Sequence, residues 1–219
     1  MTEREKPMIC IVTRARGAAG SRERIALVSR LAAGADAGAT MIQVRERHLD
    51  DRALLAFVRE LLDATRATPC AVSVNDRLDI VLATGAHGVH LKSDGVSVSD
   101  VRRVAPPGLI VGRSVHSEAE AIATEAQGGC DYLFFGTVFP SASKPTDHPV
   151  AGIEGLRRVC ESVSLPVVAI GGVTTARTAE VVRAGAAGVA AISLFVEAAD
   201  VVRVVTSLHH ALTGHQGRV

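Results

Sequence analysis

Residues 41–76 read MIQVRERHLDDRALLAFVRELLDATRATPCAVSVND and hold one complete strand–helix–strand unit. The run 41–45 is short, apolar and bounded by charge, as is 71–75, so each suits a buried strand. Between them Leu54, Phe57, Val58, Leu61 and Leu62 recur at i, i+3, i+4, i+7 and i+8, which stacks them on one face of a helix. Asp50 or Asp51 supplies the side-chain oxygen that caps its first turn. Two strands joined through a helix of this length lie parallel, because a hairpin needs only a short turn.

The same unit repeats outward in both directions. Apolar runs occur at 9–13, 41–45, 71–75, 88–91, 109–114, 132–138, 166–171 and 189–193, separated by segments of helical periodicity. The segment 77–84 is short, so one crossover helix is abbreviated. Near-continuous apolar strands alternating with helices indicate a parallel sheet covered on its outer face. Eight units of about 27 residues fit a compact (β/α)8 TIM barrel better than an open doubly wound sheet. Gly38-Ala39, Gly85-Ala86, Gly128-Gly129 and Gly185-Ala186 each precede a strand, where a left-handed glycine ends the helix. No linker or low-complexity tract divides the chain, so residues 1–219 are expected to form a single domain. A short charged extension (1–7) precedes it, and a polar tail runs from about residue 214.

Composition removes several functional classes. Lys+Arg number 24 against 23 for Asp+Glu, so no net field draws the chain to nucleic acid or anionic lipid. There is no Trp, one Tyr and five Phe, a poor supply for a base-stacking platform. Tyr132, Phe134, Phe135 and Phe139 cluster around the sixth strand, with Tyr132 and Phe134 on one side of it and Phe135 on the other. The N-terminus lacks the apolar stretch of a secretory signal, and no run reaches the length of a membrane span. Cys10, Cys70, Cys130 and Cys160 have no metal-ligand spacing and read as reduced, free thiols. A cytoplasmic protein without nucleic-acid or membrane partners is expected, with a homo-oligomer open.

In a barrel of this kind chemistry sits at the C-terminal ends of the strands, and there this sequence turns polar. Gly171-Gly172 after strand seven and Ile192-Ser193 after strand eight offer backbone N–H groups to a phosphate; a tight turn is the alternative for the glycine pair. The loop 139–149 carries Ser141, Ser143 and Lys144, which suit an anion and a closing lid, or a solvated loop. Gln43, Arg45 and Arg47 alternate to one side of strand two, for anion recognition or an ion pair with Asp76 or Asp79. Asn75-Asp76 suits a cation or a heterocycle, with Asp94 as the nearby second acid; a helix cap is the alternative for Asp76. His116 is the candidate general acid/base, whereas His90 reads as a core or supporting residue.

Taken in order, IQVRER, VNDRLDI, GAHGVHL, GRSVHSEAEA, DYLFFGTVFPSASK, PVVAIGGV and GAAGVAAIS resemble the thiamin phosphate synthase/TenI family over nearly the whole chain. The resemblance implies a TIM barrel acting on a phosphorylated thiazole. Its synthases join a pyrimidine diphosphate to a thiazole phosphate, expel pyrophosphate, and hold Mg²⁺ on two acids. They show Gln-x-Arg-x-Lys, Asn-Asp and His-x-Gly-Gln-x-Asp after strands two, three and four. This sequence has Gln43, Arg45, Asn75, Asp76, Ser114, Ser143, Lys144, Gly171 and Ser193, but Arg47 stands for the lysine, Lys92 for the glycine of the strand-four motif, and Gly95 for its acid, with Asp94 one residue early. Arg45-Glu46-Arg47 and the 112–117 stretch resemble the TenI-like tautomerases, which aromatise a thiazole carboxylate phosphate without metal. The expectation is therefore a TenI-like tautomerase with His116 moving the proton, Arg45 assisting and no cofactor. The alternatives are a thiamin phosphate synthase using Mg²⁺ at Asp76 and Asp94, or a barrel that binds such phosphates without turnover.

Overall fold

The structure, a computed structural model, describes residues 7–15, 17–141 and 149–214. Its elements run β1 (Met8–Val12), α1 (Arg22–Asp36), β2 (Met41–Val44), α2 (Asp51–Thr65), β3 (Ala71–Asn75), α3 (Leu78–Thr84), β4 (Gly88–Leu91), α4 (Val98–Val104), β5 (Ile110–Val115) and α5 (Glu118–Gln127). The order continues with β6 (Tyr132–Phe135), α6 (Gly152–Ser162), β7 (Val167–Ile170), a 3-10 turn (Thr175–Arg177), α7 (Thr178–Arg183), β8 (Gly188–Ala191), α8 (Ser193–Val196) and α9 (Val201–Gly214). Every strand pairs in parallel with its sequence neighbour, and β8 closes on β1. This is the (β/α)8 barrel expected from the alternation of strand and helix patterns.

The deciding unit forms as its pattern requires. Asp50 caps α2, accepting from Ala53 N at 2.8 Å. Leu54, Phe57, Val58 and Leu61 are buried beneath the helix, while Leu62 packs at its margin. Full burial of such side chains contributes about 1.5–3 kcal/mol each. The short α3 ends on Gly85, whose φ of 73° lets its N–H return to the Val81 carbonyl.

Two cores result. The larger lies between strands and helices; the smaller fills the barrel with Cys10, Val12, Met41, Tyr132, Phe134, Val168 and Ala190. Tyr132 and Phe134 therefore point inward, and Phe135 joins the helix layer. Gly112, opposite Tyr132 across the β5–β6 ladder, is glycine because a Cβ there would fall 2.1 Å from the phenol ring.

β2, β6, β7 and β8 are shorter than their apolar runs, most of all β6. After Phe135 the chain leaves regular geometry, yet Val138 N still donates to the Ile170 carbonyl and Phe139 N to the Gly171 carbonyl. Apolarity there serves packing against β7 without ideal strand dihedrals. Likewise Ile192 leaves β8 and begins the single-turn α8. Among the described residues no helix is long and apolar enough to cross a membrane.

Candidate active site

A cavity of about 680 Å³ opens at the C-terminal ends of β2 to β5. Arg45, Arg47, Asn75, Asp76, Lys92, Asp94, Ser114 and His116 all line it, so half of the residues picked from the strand exits meet here.

The β2 exit is set by a residue to which the sequence reading gave no role of its own. Glu46 is buried and accepts from the Thr13 hydroxyl and from Ala15 N at 2.7 Å; Thr13 Oγ1 in turn accepts from Arg45 N at 3.1 Å. Anchoring Glu46 to the β1 exit leaves its two arginine neighbours to line the cavity. Arg45 is half-buried, and its pKa is lowered by that burial first and by Arg47 second. Such a desolvated cation favours an anionic ligand. The alternative of a structural ion pair fails: among the described residues Arg45 bridges neither acid, and Asp79 is taken by Arg77 at 2.6 Å. Gln43, beneath the cavity, donates from Nε2 to Asn75 Oδ1 at 3.0 Å.

Asp76 has left-handed backbone, with φ at 60°. Its carboxylate accepts from Asn75 Nδ2 and from Lys92 N, both at 2.8 Å, and Lys92 Nζ lies 3.7 Å away. It does not cap α3, whose N-cap is Arg77 without a side-chain bond, so the capping alternative is excluded. A Cβ added at Gly95 would come within 3.4 Å of Asp76 Oδ1, so this chain has glycine where a side chain would face Asp76; the other acids on the wall are Asp94 and Glu46, the latter held by Thr13 and Ala15. Arg113 braces the Lys92–Asp94 turn through the Ser93 and Val96 carbonyls, a support that its place inside β5 did not reveal. Among the described residues no group of three or more His, Cys, Asp or Glu gathers at one point. The donor set nevertheless fits Mg²⁺, a hard cation that takes one or two carboxylates and completes its shell with phosphate oxygens and water.

At the β5 exit His116 Nδ1 lies 2.6 Å from the Gly136 carbonyl, and its backbone N–H donates to Glu120 Oε2 at 2.8 Å. A carbonyl only accepts, so Nδ1 is the donor of this bond and Nε2 is the ring nitrogen left facing the site. Ser114 Oγ is 2.9 Å from Nε2 of the fully buried His90.

The phosphate candidates on the other side of the barrel do not line this cavity. Gly171 and Gly172 have φ of 96° and 62°. A Cβ on them would fall 2.6 Å from Thr137 Cγ2 and 2.4 Å from the Pro140 carbonyl, so the pair admits the 137–140 segment against β7. Arg177, unforeseen from the sequence, fastens that contact by donating to the Gly172 carbonyl at 2.9 Å and stacking on the Phe139 ring at 4.5 Å. Ile192 and Ser193 form the entry to α8, and Ser141 lies just past the β6 exit, also off the cavity wall. Ser143 and Lys144 lie outside the described residues, as does most of the expected lid.

Comparison with known proteins agrees with this geometry. The thiamine monophosphate synthase family matches residues 9–195. The thiamine-phosphate synthase of Methanoculleus marisnigri is 41% identical over 181 residues, 83% of this chain and 84% of that protein. The enzyme of the same name from Chloroflexus aurantiacus is 42% identical over 164 residues, 75% of each. Among solved structures, thiamine phosphate pyrophosphorylase from Pyrococcus furiosus superposes with a TM-score of 0.82 at 34% identity, over 96% of this chain and 97% of that one. The expected tautomerase gains no support here, because these relatives are named for the synthase reaction.

Proposed function

The chain belongs to the thiamine monophosphate synthase family, and from that membership we propose that it is a thiamin phosphate synthase. It joins a hydroxymethylpyrimidine diphosphate to a thiazole phosphate and releases pyrophosphate. The observation that carries this reading is one cavity in which Arg45, Arg47 and Lys92 face Asp76 and Asp94. A single proton shift on an aromatising ring needs no such opposition of cations and acids. A departing diphosphate does, since its charge grows as the carbon–oxygen bond breaks.

In this mechanism Arg45, Arg47 and Lys92 bind the diphosphate and take up its developing charge. Asp76 and Asp94 would hold Mg²⁺, which when bound supplies further positive charge at the phosphate oxygens. Asn75 fixes the Asp76 carboxylate, and Gln43 fixes Asn75. His116 presents Nε2, with Nδ1 anchored on Gly136, to the substrates. Gly171, Gly172, Ile192 and Ser193 offer backbone N–H groups to the thiazole phosphate, with Ser141, Ser143 and Lys144 contributing from the β6 loop. Orientation of the two substrates against each other across the C-terminal mouth of the barrel supplies further acceleration.

The test gives the purified chain two separate offers: the pyrimidine diphosphate with the thiazole phosphate, or the non-aromatic thiazole carboxylate phosphate alone. Thiamin phosphate from the first supports the proposal. Turnover of the second alone restores the tautomerase, and binding without turnover in both restores the non-catalytic barrel.

A further inference from the structure

A line of hydrogen bonds runs through the barrel from β6 to the cavity. Tyr132 Oη lies 3.0 Å from His90 Nδ1, and His90 Nε2 lies 2.9 Å from Ser114 Oγ, which faces the cavity. Tyr132 and His90 are both fully buried, and the imidazole packs on Phe134 with ring centroids 4.3 Å apart. The ring is therefore held in one orientation, and only the proton on it is left to be assigned.

The surroundings assign it. Burial holds the Tyr132 phenol protonated, well above its usual range, and the fully buried His90 ring, whose hydrogen-bond partners are the neutral hydroxyls of Tyr132 and Ser114, is neutral as well. Three groups surround the phenol: the Ser73 hydroxyl, whose hydrogen bond acts to lower the phenol pKa and so donates to Oη, and two acceptors for the phenol proton, Met41 Sδ at 3.4 Å and His90 Nδ1 at 3.0 Å. A thioether is a weak acceptor and an imidazole nitrogen a good one, so the phenol donates to Nδ1. The neutral ring then carries its single proton on Nε2 and donates it to Ser114 Oγ. Ser114 accepts from the protein side, and its own hydroxyl proton is left for the cavity.

We infer that His90 and Tyr132 are positioning residues that set Ser114 as a hydrogen-bond donor toward an acceptor atom of the pyrimidine diphosphate. The opposite tautomer would consume the serine proton on His90 and present only lone pairs to the substrate. The polar interior of strands four, five and six thus acts at the site without touching it. The identity of the substrate rests on the synthase reading; the proton assignment does not.

Two measurements test it. ¹⁵N NMR of the imidazole nitrogens in the ligand-free chain is expected to show His90 as the Nε2–H tautomer, and Tyr132→Phe to shift the population toward Nδ1–H. This readout needs no substrate, so it stands or falls independently of the proposed reaction. In steady-state kinetics with both substrates, Tyr132→Phe should lower kcat/KM for the pyrimidine diphosphate roughly tenfold, as loss of one directed hydrogen bond does. In a Ser114→Ala background the same change should alter it less than about twofold, because coupled residues are not additive. A parallel arm uses inorganic pyrophosphate as inhibitor: weakened inhibition in Tyr132→Phe identifies a diphosphate oxygen as the acceptor, and unchanged inhibition a ring atom, either in support of the donor role. An Nδ1–H tautomer in the parent, or effects that simply multiply in the double variant, overturns the inference.

Discussion

Asp76 is the residue on which the proposed chemistry turns, and its setting explains why. Left-handed backbone and two donors hold the carboxylate toward the cavity. Asp76→Asn keeps the shape but removes the charge, and is expected to lower the joining rate by about two orders of magnitude or more, as loss of a metal-held charge does. Measuring kcat/KM against Mg²⁺ concentration checks this, with a raised Mg²⁺ requirement in the variant. His90 gives a pH prediction of definite sign. Its folded pKa of about 3 lies below the ordinary 6.5, lowered by burial first and by Arg45 second. The stabilisation from the neutral ring is complete above about 6.5 and is lost as pH falls toward 3, with a slope of about 1.4 kcal/mol per pH unit. Urea unfolding at pH 7 and pH 5 should show this slope in the parent and a shallower one in His90→Gln. Residues of this kind were legible by type and place in the strand exits. Their partners were not: nothing in the order of residues joins Thr13 to Glu46 or Tyr132 to His90, since those contacts exist only once the barrel closes.

At the scale of elements, the β2 exit depends on the Glu46 carboxylate, which is tied to the β1 exit. Replacing Glu46 by Gln leaves shape but weakens the bonds from Thr13 and Ala15. About 1–3 kcal/mol of stability should be lost, with a higher KM for the diphosphate as Arg45 and Arg47 lose their register. Chemical denaturation alongside steady-state kinetics separates the two effects. The β5–β6 ladder yields a complementary prediction: Gly112→Ala forces a methyl into the Tyr132 ring and should cost about 1–3 kcal/mol, as overpacking generally does. Apolar runs located all eight strands, because each has a buried face, whereas the short 3-10 turn and α8 went unforeseen. The ends of β6 and β8 were overextended, because apolar residues continue past the last regular pair where the backbone packs against β7 or turns into α8.

The whole molecule is a closed barrel whose interior holds both an apolar plug and a polar track to the cavity. Its thiols behave accordingly. Cys10, Cys70 and Cys130 are buried and free, and burial raises all three, Cys70 to about 12 and Cys130 to about 11. Little thiolate exists at pH 8, so a thiol-reactive dye should label the native chain slowly, Cys160 first, and all four sites only in denaturant. Barrel, family and pathway were within reach of the sequence; the choice of reaction was not. Lys92 and Gly95 weighed against a metal-assisted transfer, whereas the folded cavity sets Asp94 on the wall with Asp76 and surrounds both with cations. The most direct measurement is the two-substrate reaction followed with and without Mg²⁺. Thiamin phosphate and pyrophosphate formed in equal amounts, and abolished by chelation, is the expected result; no coupled product, with tautomerisation of the thiazole carboxylate phosphate proceeding unaffected by chelator, contradicts it.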